Sequence, residues 1–213
     1  MSRRRAVALA ALLVACACGQ PEAPPNHAPA YAFDLGGDVF HWTTDRLPVR
    51  IWADPRGAMR GYVARAIDLW QQQFLYGEFR GALVSDSLHA DVIVTWTDSV
   101  PPNVPPDPGA PVKACGGSTI PDFDSTGTRL VGPFHTSLSV LASGATPAQL
   151  AACMQRTVVH ELGHGLGLFQ EAPAPDTTFI MYFTPLVTAP ADGDRRTIEV
   201  LYHTPPTIAP PPK

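Results

Sequence analysis

Charged residues are scarce in this chain of 213 residues, and basic residues cluster only at its extreme N-terminus. Asp, Glu, Lys and Arg make up 16% of the sequence, and the formal net charge is −4 at pH 7. Nucleic-acid-binding domains present a stripe or patch of Lys and Arg. The sequence has no such patch, and we expect no nucleic-acid partner.

Long apolar runs are also missing, apart from one at residues 6–15 that is too short to span a bilayer. It follows three arginines and precedes small residues and a cysteine, which is typical of an export signal. Residues 13–16 resemble the lipobox of bacterial lipoproteins, whose cysteine is diacylated. We expect residues 1–15 to be a lipoprotein signal peptide and Cys16 to carry the lipid; an ordinary secretory signal is the alternative. The protein would then lie at the bacterial cell envelope, outside the cytoplasm, or be secreted.

Cysteine is rare, with 4 residues in the chain. Cys16 and Cys18 lie near the N-terminus, which leaves Cys115 and Cys153 for the folded part. Disulfides form and persist in the oxidising compartments that exported proteins reach. We therefore expect Cys115 and Cys153 to form a disulfide.

Proline and glycine are abundant, with 24 and 17 residues, while hydrophobic residues reach 45%. This composition predicts one globular domain with long connections. Residues 16–30 are rich in proline and are predicted to be a tether, and residues 205–213 a tail. The folded domain is predicted between them, over residues 31–204.

Strand and helix patterns alternate within this domain and predict an α+β fold. Apolar side chains recur at every second position within residues 45–54, which predicts a strand. Residues 57–74 carry apolar residues at helical spacing, which predicts an amphipathic helix. Two further strands and a hairpin-like region follow, the hairpin turning at Asp124. The pair Asp122 and Asp124 could ligate calcium, although oxygen-rich turns are usually only turns.

A second long helix is marked by its start signals. Thr146 can cap it, Pro147 suits its first position, and Gln149 completes a capping box with Thr146. The helix should extend to the glycines at 165 and 167.

His160 and His164 on this helix are four residues apart, so they project from one face as two ligands of a single zinc ion require. Glu161 lies beside the first ligand without occupying the metal. A zinc ion there would polarise a water molecule and the scissile carbonyl, while Glu161 accepts the proton and returns it to the leaving amine.

Gly167 extends the motif to HExxHxxG, and here the sequence resembles the metzincin clan of zinc peptidases, and within it the matrixins. In that clan the glycine turns the chain so that a third ligand follows three residues later. Met181 and Tyr182 resemble the clan's Met-turn, in which the methionine forms a floor beneath the metal. Residues 191–203 resemble the matrixins' final helix. The resemblance implies a twisted mixed sheet packed against an N-terminal helix and the metal-binding helix, with a C-terminal helix after the Met-turn.

The third ligand departs from the family, because Gln170 stands where the family has His or Asp. Gln170 could ligate through its amide oxygen, although this is a weaker zinc ligand. Glu171 or Asp176 could replace it, or Glu199 could serve as the distant glutamate does in gluzincins. A degenerate relative that binds without catalysis is a further alternative.

The sequence thus predicts a zinc endopeptidase with a peptide or protein substrate, in which a water molecule activated by Glu161 attacks the peptide bond. Its only membrane association would be the lipid anchor. Cys115 has a second interpretation in this setting, as a zinc-blocking thiolate like the cysteine switch of matrix metalloproteinase propeptides.

Overall fold

The computed structural model describes residues 28–97, 115–140, 146–174 and 176–211. The predicted signal peptide, Cys16 and most of the predicted tether lie outside the described residues. Within the described part of the chain, no helix combines the length and the apolar character needed to cross a membrane.

Over the described residues, five strands form one mixed sheet: Val49–Ala53 (β1), Gly81–Val84 (β2), Val92–Trp96 (β3), Cys115–Ile120 (β4) and Phe134–Val140 (β5). Their order in the sheet is β2-β1-β3-β5-β4. Strands β2, β1, β3 and β5 are parallel to one another, and β4 pairs antiparallel with β5 at one edge.

In the same described ranges, three α-helices accompany the sheet, at Met59–Gln71 (α1), Pro147–Gly165 (α2) and Asp192–His203 (α3). Helix α1 packs on β1 and β2, α2 packs on β4 and β5, and the two helices contact each other, so both lie on the same face of the sheet. The indole Nε1 of Trp70 on α1 donates to the carbonyl oxygen of Val159 on α2, over 2.8 Å. The predicted α+β class with a mixed sheet is confirmed.

Helix α2 begins where the sequence predicts. The backbone N–H of Gln149 donates to Thr146 Oγ1 over 3.3 Å, and the N–H of Thr146 donates to Gln149 Oε1 over 2.9 Å. This capping box satisfies N–H groups that the first helical turn leaves unpaired, with Pro147 as the first residue of the helix.

The C-terminal end of α2 is a Schellman motif centred on Gly167. The N–H of Leu168 donates to the carbonyl of Gly163, and the N–H of Gly167 to that of His164. Gly167 has φ of +108°, and a Cβ there would collide with the carbonyl oxygen of Phe40. A glycine is therefore required at this turn.

The predicted C-terminal tail is part of the packed domain as far as residue 211. Ile208 is buried, and its N–H and that of Thr207 donate to the carbonyl of Val39. Ala209 exchanges backbone hydrogen bonds with Thr128 and Leu130. Each proline removes only its own N–H donor, so the residues between the prolines still form backbone hydrogen bonds, and Ile208 is buried in the domain.

Cys115 at the start of β4 and Cys153 on α2 form a disulfide, with Cα atoms 5.8 Å apart. The structure thus ties the edge strand to helix α2 and gives Cys115 no free thiol to direct at a metal. At the predicted turn, Asp124 Oδ1 accepts hydrogen bonds from Thr126 Oγ1 and from the N–H of Thr128, each over 3.0 Å. This carboxylate is therefore engaged within its own turn.

Candidate metal centre

His160 and His164 present their Nε2 atoms to each other at a distance of 3.2 Å. Nδ1 of His160 donates to the carbonyl oxygen of Ile180 over 2.8 Å, and Nδ1 of His164 donates to that of Leu168. Since a carbonyl oxygen only accepts, Nδ1 carries the ring proton whenever either imidazole is neutral. In that neutral form the Nε2 atom has a free lone pair, which is the form that binds a metal ion.

Glu171 completes a triangle with the two imidazoles. Its Oε1 lies 3.4 Å from Nε2 of His160 and 3.5 Å from Nε2 of His164. The chain reaches this point through the turn at Gly167 and is then held by a backbone hydrogen bond of 2.7 Å from Ala172 to Met181. Among the His, Cys, Asp and Glu side chains of the described residues, these three form the group whose ligand atoms lie close enough to share one metal ion.

The electrostatics of the triangle favour a cation. Burial by itself would lower the pKa of His160, but the Glu171 carboxylate, together with Glu161 and the Ile180 carbonyl, raises it to about 9. Burial would likewise raise the pKa of Glu171, but the two imidazoles lower it to about 2. Glu171 is therefore ionised at neutral pH, and a metal ion would take the place of the imidazolium proton.

The donor set fits zinc. Zinc binds His nitrogen and carboxylate oxygen at about 2.0–2.2 Å, so tetrahedral ligand atoms lie about 3.3–3.5 Å apart. The three observed separations are 3.2, 3.4 and 3.5 Å. Two imidazoles and one carboxylate are also a donor set that catalytic zinc sites use, with the fourth position left to water or substrate.

The structure places the other third-ligand candidates in different roles. Gln170 is exposed, and its Nε2 donates to the carbonyl oxygen of Asp34 over 2.9 Å. Asp176 accepts hydrogen bonds from the N–H and the hydroxyl of Thr178. Glu199 pairs with Arg195 on its own helix, at 3.6 Å.

Met181 lies beside helix α2, fully buried, and its sulfur and the Trp70 ring both lie close to the Cβ position of Gly163. The turn that carries it is held by Asp194, whose carboxylate accepts hydrogen bonds from the N–H groups of Ile180 and Met181 at 2.9 and 3.3 Å. Because the Ile180 carbonyl receives the proton of His160, this buried carboxylate supports the orientation of a ligand.

Asp194 also binds Tyr31 near the start of the described chain. The phenol of Tyr31 donates to Asp194 Oδ1 over 2.8 Å, and burial with the adjacent carboxylate raises the pKa of Tyr31, so the phenol remains a donor. Neither residue is singled out by a sequence motif. An acidic residue in the first turn of α3 is visible in the sequence, but its partners Met181, Ile180 and Tyr31 are 13, 14 and 163 residues away.

Glu161 is buried, and its carboxylate lies against β4. Oε2 accepts a hydrogen bond of 2.8 Å from the Thr119 hydroxyl. Glu161 and His164 line a cleft of about 360 Å³. The remaining lining includes Leu35, Gly117, Ser118, Thr119, Pro121, Phe134, Phe169, Glu171 and Phe183.

No family model matches the sequence, and no curated protein matches it. Among solved structures, one described as the structure of myroilysin is similar at 13% identity and a TM-score of 0.41, covering 78% of this chain and 96% of that one. A second, described as the crystal structure of myroilysin, has 12% identity and a TM-score of 0.41, covering 82% of this chain and 88% of that one. These similarities are loose, so the function proposed below rests on the residues of this chain.

Proposed function

We propose that this chain is a zinc-dependent peptidase whose metal ligands are His160, His164 and Glu171. The observation that carries the proposal is the triangle of two Nε2 atoms and one carboxylate oxygen at 3.2–3.5 Å, the spacing of three ligands around one zinc ion. The HExxHxxG motif and the buried Met181 add the resemblance to metzincins. Glu171 here takes the role that the sequence alone assigns first to Gln170.

Each side chain has a distinct task in this proposal. His160 and His164 donate lone pairs because their Nδ1 protons are held by backbone carbonyls, and Glu171 supplies the negative charge. Zinc, when bound, would lower the pKa of a water molecule and polarise the substrate carbonyl. Glu161 lines the cleft without belonging to the triangle, so its carboxylate is free to accept a proton from water and deliver it to the leaving amine.

The substrate of such a site is a peptide or protein. Export and lipidation at Cys16 belong to the same proposal, and they would hold the domain outside the cytoplasm.

Glu161→Gln in the full-length chain tests the function. Because Glu161 handles protons without holding the metal, zinc content should remain at one ion per chain while hydrolysis of a mixed peptide library falls by about a hundredfold or more. Glu199→Gln is the matched control, since this half-buried glutamate pairs with Arg195 on its own helix, and the variant should retain both zinc and activity.

Three outcomes would contradict the proposal. Equal hydrolysis by wild type and Glu161→Gln would remove the role of Glu161. A wild-type chain that binds zinc and cleaves no peptide would indicate a binding protein. Loss of zinc in Glu199→Gln would favour the gluzincin-like arrangement.

A further inference from the structure

Thr119 on the edge strand β4 contacts the proposed proton carrier directly. Its hydroxyl lies 2.8 Å from Glu161 Oε2 and 3.0 Å from the backbone oxygen of Glu161. A third neighbour is the hydroxyl of Thr136, the residue paired with Thr119 on β5, at 2.9 Å. The HExxH motif on α2 and the strand opposite it are therefore joined by one side chain.

The direction of these hydrogen bonds follows from counting protons. Thr119 has one hydroxyl proton, and the carboxylate is its strongest acceptor because it is charged. The hydroxyl of Thr136 then donates to Thr119 Oγ1. Each hydroxyl therefore donates to the next group, from Thr136 to Thr119 and from Thr119 to Glu161 Oε2. This carboxylate oxygen is thus held as a hydrogen-bond acceptor.

Gly117 leaves room for the other carboxylate oxygen. A Cβ at Gly117 would lie 2.5 Å from Glu161 Oε1 and 2.6 Å from its Cγ. Gly117 and Thr119 are two residues apart in β4, so they lie on the same face of the strand. Strand β4 thus binds Oε2 through Thr119, and the missing side chain of Gly117 makes room for Oε1. Gly117 and Thr119 both line the cleft.

We propose that Thr119 is a positioning residue that orients the Glu161 carboxylate for proton transfer, and that Gly117 provides the space this orientation needs. The inference rests on the proposed peptidase function. With Oε2 held by Thr119, Oε1 is the oxygen that accepts the proton of the attacking water. Proton transfer requires this alignment, and a displacement of about 1 Å can reduce a rate by about a hundredfold.

Thr119→Val and Thr119→Ser in the full-length chain test the proposal, with kcat, KM and zinc content measured on one peptide that wild type cleaves. Valine keeps the shape and loses the hydroxyl, so kcat should fall by about tenfold to a hundredfold, with KM changed by less than about threefold and zinc content unchanged. Serine keeps the hydroxyl and should retain kcat within about threefold.

Two further variants separate positioning from general damage to the sheet. Thr95→Val removes a neighbouring hydroxyl that donates to the Thr136 carbonyl over 3.2 Å without contacting Glu161, and it should behave as wild type. Gly117→Ala displaces the same carboxylate from its other side, and its kcat should fall while zinc remains.

The outcomes distinguish this inference from the function it rests on. If wild type cleaves peptides and Thr119→Val retains its kcat, or if serine loses as much as valine, Thr119 has no positioning role although the peptidase function stands. If wild type cleaves nothing, the proposed function fails, and the role of Thr119 fails with it.

Discussion

At the scale of single residues, Gly167 decides where Glu171, the proposed third ligand, can lie. Its φ of +108° reverses the chain after α2, and the Phe40 carbonyl oxygen occupies the place of a side chain. The reversed chain returns Glu171 to the two imidazoles. The proposed metal centre therefore depends on a residue outside the triangle of His160, His164 and Glu171.

Gly167→Ala should destabilise the folded chain by about 3 kcal/mol or more, because the left-handed backbone and the collision with Phe40 both oppose a Cβ. Urea unfolding followed by circular dichroism measures this. Gly61→Ala is the matched control, since Gly61 lies in α1 with open space at its Cβ position. That substitution should stabilise by about 0.5–1 kcal/mol. Equal effects of the two substitutions would contradict the assigned role of Gly167.

At the scale of elements, the ends of β1 and β3 are joined through the side chain of Arg56. Arg56 donates to Asp54 Oδ2 over 2.7 Å and to the carbonyl of Trp96 over 2.7 Å. The hydrogen bonds from the Arg56 side chain and backbone lower the pKa of Asp54 from 3.8 to about 2. This clamp holds the carboxyl ends of two parallel strands together.

Asp54→Asn should therefore lower the free energy of unfolding by about 1 kcal/mol at pH 7, a modest value because Arg56 is largely exposed. Since the folded pKa is depressed, the stabilisation by Asp54 is complete above its ordinary pKa of 3.8 and is lost as pH falls through about 2. Urea titrations of both proteins from pH 7 to pH 2 should show the difference shrink steadily once the pH falls below 3.8. A difference at pH 2 as large as the one at pH 7 would assign it to something other than the charge of Asp54.

Helix α2 shows which elements a sequence can predict. Its cap, its first proline, its apolar stripe and its terminal glycines are all local signals, and its structure follows them. The start of strand β4 could not be predicted from local sequence. Gly116 and Gly117 have poor β-propensity, yet β4 begins before them, at Cys115, which is earlier than the hairpin pattern indicates. The contact from Thr119 to Glu161 spans 42 residues and exists only once β4 lies at the sheet edge.

At the scale of the whole molecule, the disulfide links the two elements that carry Glu161 and Thr119. It joins Cys115 of β4 to Cys153 of α2 across 38 residues of sequence. A cross-link across such a loop restricts the unfolded chain and supports the edge strand beside the metal centre.

The double substitution Cys115→Ala and Cys153→Ala should lower the free energy of unfolding by about 3–4 kcal/mol, the value expected from closing a loop of this length. Urea unfolding under non-reducing conditions provides the measurement, with the reduced wild-type chain as a control that should match the variant. A loss below about 1 kcal/mol would contradict this account, because it would mean that the disulfide does little to restrict the unfolded chain.

The third ligand is the part of the site that local sequence could not decide. His160, Glu161 and His164 share one helical turn, so their spacing alone brings them together. The position of Glu171 depends on how the chain runs after Gly167, and this path is set by contacts with the distant N-terminal segment. Phe169 donates to the carbonyl of Phe33 over 3.0 Å, and Gln170 to that of Asp34.

The most direct test is the zinc dissociation constant of wild type, Glu171→Ala and Gln170→Ala, measured by competition with a chromogenic chelator. Losing even a residue that only supports a ligand costs about 10–100-fold in metal affinity, so losing a ligand should cost about a hundredfold or more. Glu171→Ala should therefore weaken zinc binding by that amount, while Gln170→Ala stays within about threefold of wild type. If Gln170→Ala empties the site and Glu171→Ala keeps its zinc, then Glu171 is not the third ligand.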